Sequence, residues 1–384
     1  MRRTLAIGVL LLVCGPAFSA EPAGAAAARQ ALADVRARLL SEFEKQLADP
    51  PAFRTRTLRE CRMFPEGDLF PFLFAAMAYT NLAVEQPATR ERAAERVAQL
   101  IDLAIPSCQA RLKPPGGKLD HLASYGNNAV YTGQLNVMLG CYRLVGGDDR
   151  YGAIHRRLSD LLHAELVRLD GLPLQSLPTA SWPFDTLPVL LSLRLYDKHT
   201  GTDRSGPAVR KHLAWIRQEA TDPETGLPWS HLAGATREVP RGCDLSWRIM
   251  LLAHLERPYA EALYPKYAAS FWIDRGVLAG FAEWPGGRTR FQDADSGPIT
   301  DGIGTAATGF GYGAAIAMHD LPRLERLCLQ LPAMRLMLQE ARKTPDSFAS
   351  ALVYDHKCVT GFLFGDACLF YSVTWQDWGL ANQK

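Results

Sequence analysis

The sequence predicts an all-α protein, a single (α/α)6-type toroid of helical hairpins over residues 21–384, and three observations carry that prediction. Apolar residues recur at helical spacing in one segment after another, period-two alternation is nearly absent, and short connections alternate with long ones. In "AIHRRLSDLLHAELVRL", Ile154, Leu158, Leu161, Leu162, Leu166 and Leu169 form one stripe, as residues three, four and seven apart do on a helix. "QLNVMLGCY" does the same with Leu135, Met138, Leu139 and Tyr142, and stops at Gly146-Gly147. Further helical runs lie near 30–47, 70–84, 88–104, 186–199, 207–219, 244–255, 258–272, 303–318, 322–341 and 365–374. Breaker-rich loops such as "TDPETGLPW" and "FAEWPGGRTR" separate them. An open helical solenoid is the alternative, but no repeat of about 34 or 40 residues is visible.

Arg2 and Arg3 precede a short apolar run, Leu5 to Val13, and Ala17-Phe18-Ser19-Ala20 offers small residues where a signal peptidase reads. Residues 1–20 are therefore expected to be a signal peptide and the protein to be exported, periplasmic or secreted. Val13 before Cys14 is too large for a lipobox. No later segment is long and apolar enough to span a membrane, and a net charge of +2 with balanced signs argues against nucleic acid. Seven cysteines follow residue 20, at 61, 108, 141, 243, 328, 358 and 368. An oxidising compartment permits disulfides, and the odd count leaves at least one thiol unpaired. Without a CxxC or a paired-histidine spacing, neither a metal nor another cofactor is expected.

In a helical toroid the loops and helix ends at one mouth make the cavity, so polar and aromatic residues in long loops are the candidates. "HLASYGNNAVYTGQLN" supplies Tyr125, Asn127, Tyr131 and Gln134, and "SLPTASWPFDT" supplies Ser176, Trp182 and Asp185. "PRGCDLSW" supplies Asp244, "FAEWPGG" supplies Trp284, and "FQDADSGPITDG" supplies Asp293 and Asp295. Each has a plainer explanation. Asp185 and Asp244 at helix starts suit N-caps, Tyr131 and Gln134 three apart on one helix face suit packing, and Asp293 and Asp295 ahead of Pro298 suit an Asx-type turn. Trp182 and Trp284 fit either apolar gaps between loops or the flat faces of a sugar or terpenoid.

"NAVYTGQLNVMLGCYRLVGGDDRY" resembles the corresponding stretch of the bacterial linalool dehydratase/isomerase family. "LSLRLYDKHTGTD", "TDPETG", "SWRIML", "LYPKY" and "GFLFGDACLF" continue the resemblance in order, over about residues 60–375. It implies an exported (α/α)6 toroid that dehydrates or isomerises a small terpene alcohol without a cofactor, and that can assemble into a homo-oligomeric ring. It also implies a disulfide between Cys61 and Cys108. The departures fall on the chemistry: the family's catalytic cysteine pair aligns with Ser176 and Asp185, and its helix histidine with Gln134. Its N-terminal Asp and Tyr have no counterpart near 50–58. Replacing Cys by Asp and His by Gln removes soft nucleophiles and a neutral-pH base while adding a carboxylate and an amide that hydrogen-bonds hydroxyls, so a polyhydroxylated ligand is expected rather than a bare terpene.

The resulting expectation is an acid/base enzyme of this fold, eliminating, isomerising or hydrolysing a hydroxylated small molecule. Asp185 would pair with Asp293 or Asp295 across the cavity, and Tyr125, Asn127, Tyr131, Gln134, Ser176, Trp182, Asp244 and Trp284 would position the substrate. A carbohydrate-active hydrolase or lyase and a non-catalytic envelope binding protein are the alternatives.

Overall fold

The structure is a computed structural model in which residues 23–64, 66–233, 236–288, 290–343 and 353–381 are described. The expected signal peptide, with Cys14, lies outside them. The described residues are mostly helical, as the periodicity predicts. In chain order the helices are α1 (Ala23–Leu47), α2 (Pro50–Glu60), α3 (Phe70–Glu85), α4 (Arg90–Leu112), α5 (Ala129–Leu144), α6 (Gly152–Leu169) and α7 (Thr186–Thr200). They continue with α8 (Ser205–Glu219), α9 (Gly242–Leu255), α10 (Arg257–Phe271), α11 (Thr305–Ala317), α12 (Leu321–Ala341) and α13 (Leu363–Val373). Three short antiparallel pairs sit in the long connections, joining His231–Ala233 to Thr236–Glu238, Trp272–Asp274 to Ala279–Phe281, and Ile299–Thr300 to Ile303–Gly304.

Two kinds of helix follow from the sequence. α3 and α5 are apolar on every side: from Pro71 to Ala83 only Leu82 keeps partial exposure, and every residue from Ala129 to Tyr142 is buried. Such helices need neighbours all round. α4, α6 and α8 carry one apolar stripe; on α6 it is His155, Leu158, Ser159, Leu162 and Leu166. The all-round helices pack in sequence, α3 on α5, α5 on α7, α7 on α9, α9 on α11, α11 on α13, and α13 on α3. α5 and α7 approach closely because Gly133 and Gly140 face Val189 and Leu195. A Cβ on Gly133 would stand 2.5 Å from Val189 Cγ2, and one on Gly140 would stand 2.6 Å from Leu195 Cβ.

The chain's last described segment closes the C-terminal ends of three of these helices. Trp378 Nε1 donates to Asn81 Oδ1 on α3 at 2.7 Å, and Lys198 Nζ on α7 donates to the Trp378 carbonyl at 3.0 Å. The His254 ring of α9 stacks on Trp378 and Trp375 at 4.4 and 5.2 Å.

The bridge implied for Cys61 and Cys108 is not formed: all seven cysteines among the described residues are free. The two thiols meet different surroundings. Cys61, at the end of α2, lies by the Phe364 backbone and Cys368, whereas the Cys108 thiol on α4 is 4.0 Å from the Tyr131 carbonyl.

Candidate functional site

One cleft, enclosing about 1000 Å³ of space partly open to solvent, takes a residue from the first turn or cap of each all-round helix. Phe70 opens α3, Val130 is second in α5, Asp185 precedes α7, Asp244 is third in α9, Ala306 is second in α11 and Phe364 second in α13. One turn deeper, Phe74, Trp247 and Phe310 make an aromatic floor. Trp247 stacks on Phe310 at 5.1 Å and 6°, and Phe74 meets Trp247 edge-on at 5.1 Å. Leu177, Trp182 and Phe184 add a wall from the loop before α7.

Into this apolar space come carboxyl groups. Asp185 ends the short turn Pro183–Asp185 and does not cap α7, because its side chain makes no capping hydrogen bond. It is hydrogen-bonded instead to Ser176, whose hydroxyl also accepts from the Trp182 amide at 2.7 Å. Burial pushes Asp185 up to about 7, aided by the nearby charges of Asp295 and Asp244 and opposed by Ser176 and Arg248. Asp244 is not a cap either, since α9 begins at Gly242. Its carboxylate accepts from Arg248 Nε at 2.8 Å and from Nη2 at 2.9 Å, one helical turn on, so it neutralises a fully buried guanidinium at the cleft wall.

The residue that sequence reasoning overlooks is Glu66. It sits in the turn between α2 and α3, where its carbonyl accepts from the Leu69 and Phe70 amides and so starts α3. Gly67 lets this turn fold tightly over Cys61, whose carbonyl oxygen would collide with any Cβ there. Glu66 lines the cleft and is buried. Its pKa rises to about 8, first by burial, then by the charges of Asp295 and Asp185. At neutral pH it therefore carries its proton. The signal was present in "MFPEGDLF", an acid between a Pro and a Gly and flanked by phenylalanines, outside the long loops taken as candidates.

The two aspartates of "FQDADSGPITDG" separate. Asp295 is exposed at the mouth and lines the cleft. Asp293 does not line it, so its expected catalytic role is corrected. It accepts from Arg241 Nη1 at 3.0 Å and from Nη2 at 2.8 Å, and from the Ser296 amide at 2.9 Å. Burial raises the pKa of Asp293, but the Arg241 hydrogen bonds and charge outweigh it and hold the carboxyl below its ordinary value. Arg241 also donates through Nε to Glu283 at 2.7 Å, and Glu283 accepts from the Cys243 thiol at 3.1 Å. The Asp293 carboxylate thus closes a turn onto the amide three residues on, and that turn is clamped to the protein by Arg241.

The other expected residues divide in the same way. Trp182 lines the cleft. Ser176 stands behind it, holding Trp182 and Asp185. Trp284 is buried under Arg241, 5.1 Å from ring centre to guanidinium, and donates to the Phe291 carbonyl at 2.9 Å, so it supports the loop rather than a ligand. Tyr131 donates to Asp68 at 2.7 Å, away from the cleft lining. Gln134 is packed within α5 with its Nε2 unbonded among the described residues. Tyr125 is buried off the cleft, and Asn127 is exposed on a turn with φ of 52°. These four belong to one helix and its lead-in, where only Val130 reaches the cavity.

No protein-family model matches the chain.

What the cleft can do chemically follows from its contents. Two carboxyl groups with pKa values near or above neutrality, beside a third at the mouth, can give and take protons in one space at ordinary pH. The remaining walls offer aromatic and aliphatic surface with few polar atoms.

Proposed function

We propose that this protein is an exported, cofactor-independent acid/base enzyme that removes water from, or isomerises, a small apolar alcohol. The observation that carries this is the pairing of an aromatic-walled cleft with Glu66 and Asp185, both raised by burial. A glycan would need many hydrogen-bond partners, and the walls around Phe70, Phe74, Phe184, Trp247, Phe310 and Phe364 supply few. The cleft favours the apolar alcohol over the carbohydrate reading for that reason.

In the proposed reaction the Glu66 carboxylic acid gives its proton to the hydroxyl as the C–O bond breaks, and water departs. The cation developing on an allylic carbon faces the rings of Trp182 and Trp247. Ionised Asp185 then takes a proton from the adjacent carbon and the electron pair of that C–H bond closes a diene. If instead water adds to the other allylic carbon of that cation before the C–H proton is taken, and gives its extra proton back to the Glu66 carboxylate, the result is isomerisation. Asp295 contributes charge, raising both acids.

The neighbour sequence α3, α5, α7, α9, α11, α13 and back to α3 supports reading the fold as an (α/α)6 toroid, with the cleft at its mouth. The resemblance to the linalool dehydratase/isomerase family points the same way, and export accords with the N-terminal pattern.

The test is incubation of the purified protein with linalool and with geraniol, with gas chromatography and mass spectrometry reporting the diene left by loss of water and the appearance of the other alcohol. Turnover in the wild type and a fall in kcat of about 10²- to 10⁴-fold in Glu66→Gln support the reading. Binding of either alcohol with formation of neither a diene nor the isomeric alcohol marks a binding protein and sinks it.

A further inference from the structure

A second cavity, enclosing about 840 Å³ of space, adjoins the cleft and shares Asp295, Ala306 and Phe364 with it as common wall. Its other walls are largely apolar: Pro298, Tyr312, Leu331, Phe362 and Leu369 line it, with Phe64 stacked on Phe364 at 4.0 Å between ring centres. The Tyr312 hydroxyl is turned away, donating to the Leu327 carbonyl at 2.6 Å. Charge is confined to Asp295 on the shared wall and to Arg335, whose guanidinium donates to the His356 carbonyl.

One residue on this wall has no structural reason to be what it is. Gly309 lies inside α11, where glycine is less favourable than alanine, and its φ is not positive. Its helix neighbours Gly311 and Gly313 are explained by close contact, since a Cβ there would strike Phe281 and Met250. A Cβ on Gly309 would meet nothing within 4 Å. Gly309 lines the second cavity and not the first. The missing side chain leaves that space open, and the space borders the one that holds the carboxyl groups at Asp295, Ala306 and Phe364.

Resting on the acid/base reading above, we propose that the second cavity receives the apolar chain of the substrate, so that the preferred alcohol is longer than one the carboxylate cleft holds alone. Its hydroxyl lies against Glu66 and Asp185, and its chain passes Ala306 and Phe364 toward Gly309.

Quenching of tryptophan fluorescence, with Trp182 and Trp247 in the cleft, gives the affinities of the wild-type protein for geraniol and for its longer homologue farnesol. Farnesol is expected to bind about tenfold tighter or more, because each added carbon buries further apolar surface. Gly309→Leu is expected to erase that advantage and leave geraniol unchanged, with Gly309→Ala in between and both variants melting no lower than the wild type. Equal wild-type affinities, a farnesol advantage that survives in folded Gly309→Leu, or an equal loss for both alcohols overturns the proposal. Because the readout is binding, it is separable from turnover. A chamber-dependent farnesol preference with neither alcohol dehydrated nor isomerised refutes the acid/base mechanism and leaves the chamber standing.

Discussion

Burial raises Glu66 and Asp185 for the same reason, yet what else touches them differs. Asp185 has the Ser176 hydrogen bond and Arg248 to favour its charge against Asp295 and Asp244, whereas Glu66 has its own backbone and Arg111 against Asp295 and Asp185. Removing the Asp295 charge should therefore lower both acids. In Asp295→Asn, the fall of activity on the alkaline side, set by loss of the Glu66 proton, should move to lower pH in a kcat profile; an unmoved limb would deny Asp295 its electrostatic role. Stability should register the same burial. A carboxyl whose folded pKa lies above its unfolded one contributes stability that is whole below the unfolded value and lost as pH rises to the folded value. For Glu66 that window runs from 4.5 to about 8, and for Asp185 from 3.8 to about 7, so the melting temperature should fall as pH rises through it. Glu66→Gln should flatten the slope. At this scale the sequence was half legible: Asp185, Asp295 and Trp182 announced themselves as polar or aromatic residues in a breaker-rich loop. Glu66 did not, because its environment is made by Phe70, Phe310 and Phe364, which come together only in the folded chain.

Among the elements, the segment 291–298 shows why neighbouring acids take different parts. Arg241 is buried and needs counter-charge, which Glu283 and Asp293 supply from either side. The clamp leaves Asp295, two residues on, at the mouth. Asp293→Asn should cost on the order of 1 kcal/mol in denaturant melts, since that side chain is 36% exposed and a partly solvated pair contributes modestly. It should weaken turnover far more than it weakens stability, by loosening Asp295. On the helices, Gly133→Ala should destabilise by about 1–3 kcal/mol through contact with Val189. Periodicity found the long helices, because each buries a stripe or a whole surface, but it started α1 and α5 late and stopped α4 near 104, whereas that helix runs to Leu112. It passed over α2, "PPAFRTRTLRE", whose apolar content is slight and whose start depends on Asp49 accepting from the Ala52 amide at 3.1 Å. Nor could it find the short strand pairs, which are too brief to show an alternation.

For the molecule as a whole, layering was legible and joining was not. The apolar residues all round α3 and α5 mark helices that need neighbours on every side, but no periodicity tells that α13 returns to α3. Cysteine pairing was equally out of reach, because Cys61 and Cys108 are placed by different neighbours, Cys61 beside Phe364 and Cys368 and Cys108 beneath Tyr131. The C-terminal segment has a further consequence. Trp375 and Trp378 stopper the C-terminal ends of α3, α7 and α9, and the carboxyl groups stand at the N-terminal ends of the same helices. The tryptophans and the carboxyl groups thus occupy opposite ends of the same helices. On the reading proposed above, substrate and product both use the carboxyl end, beside Asp295, so the rate at which the cleft empties sets a ceiling on how often it can be filled.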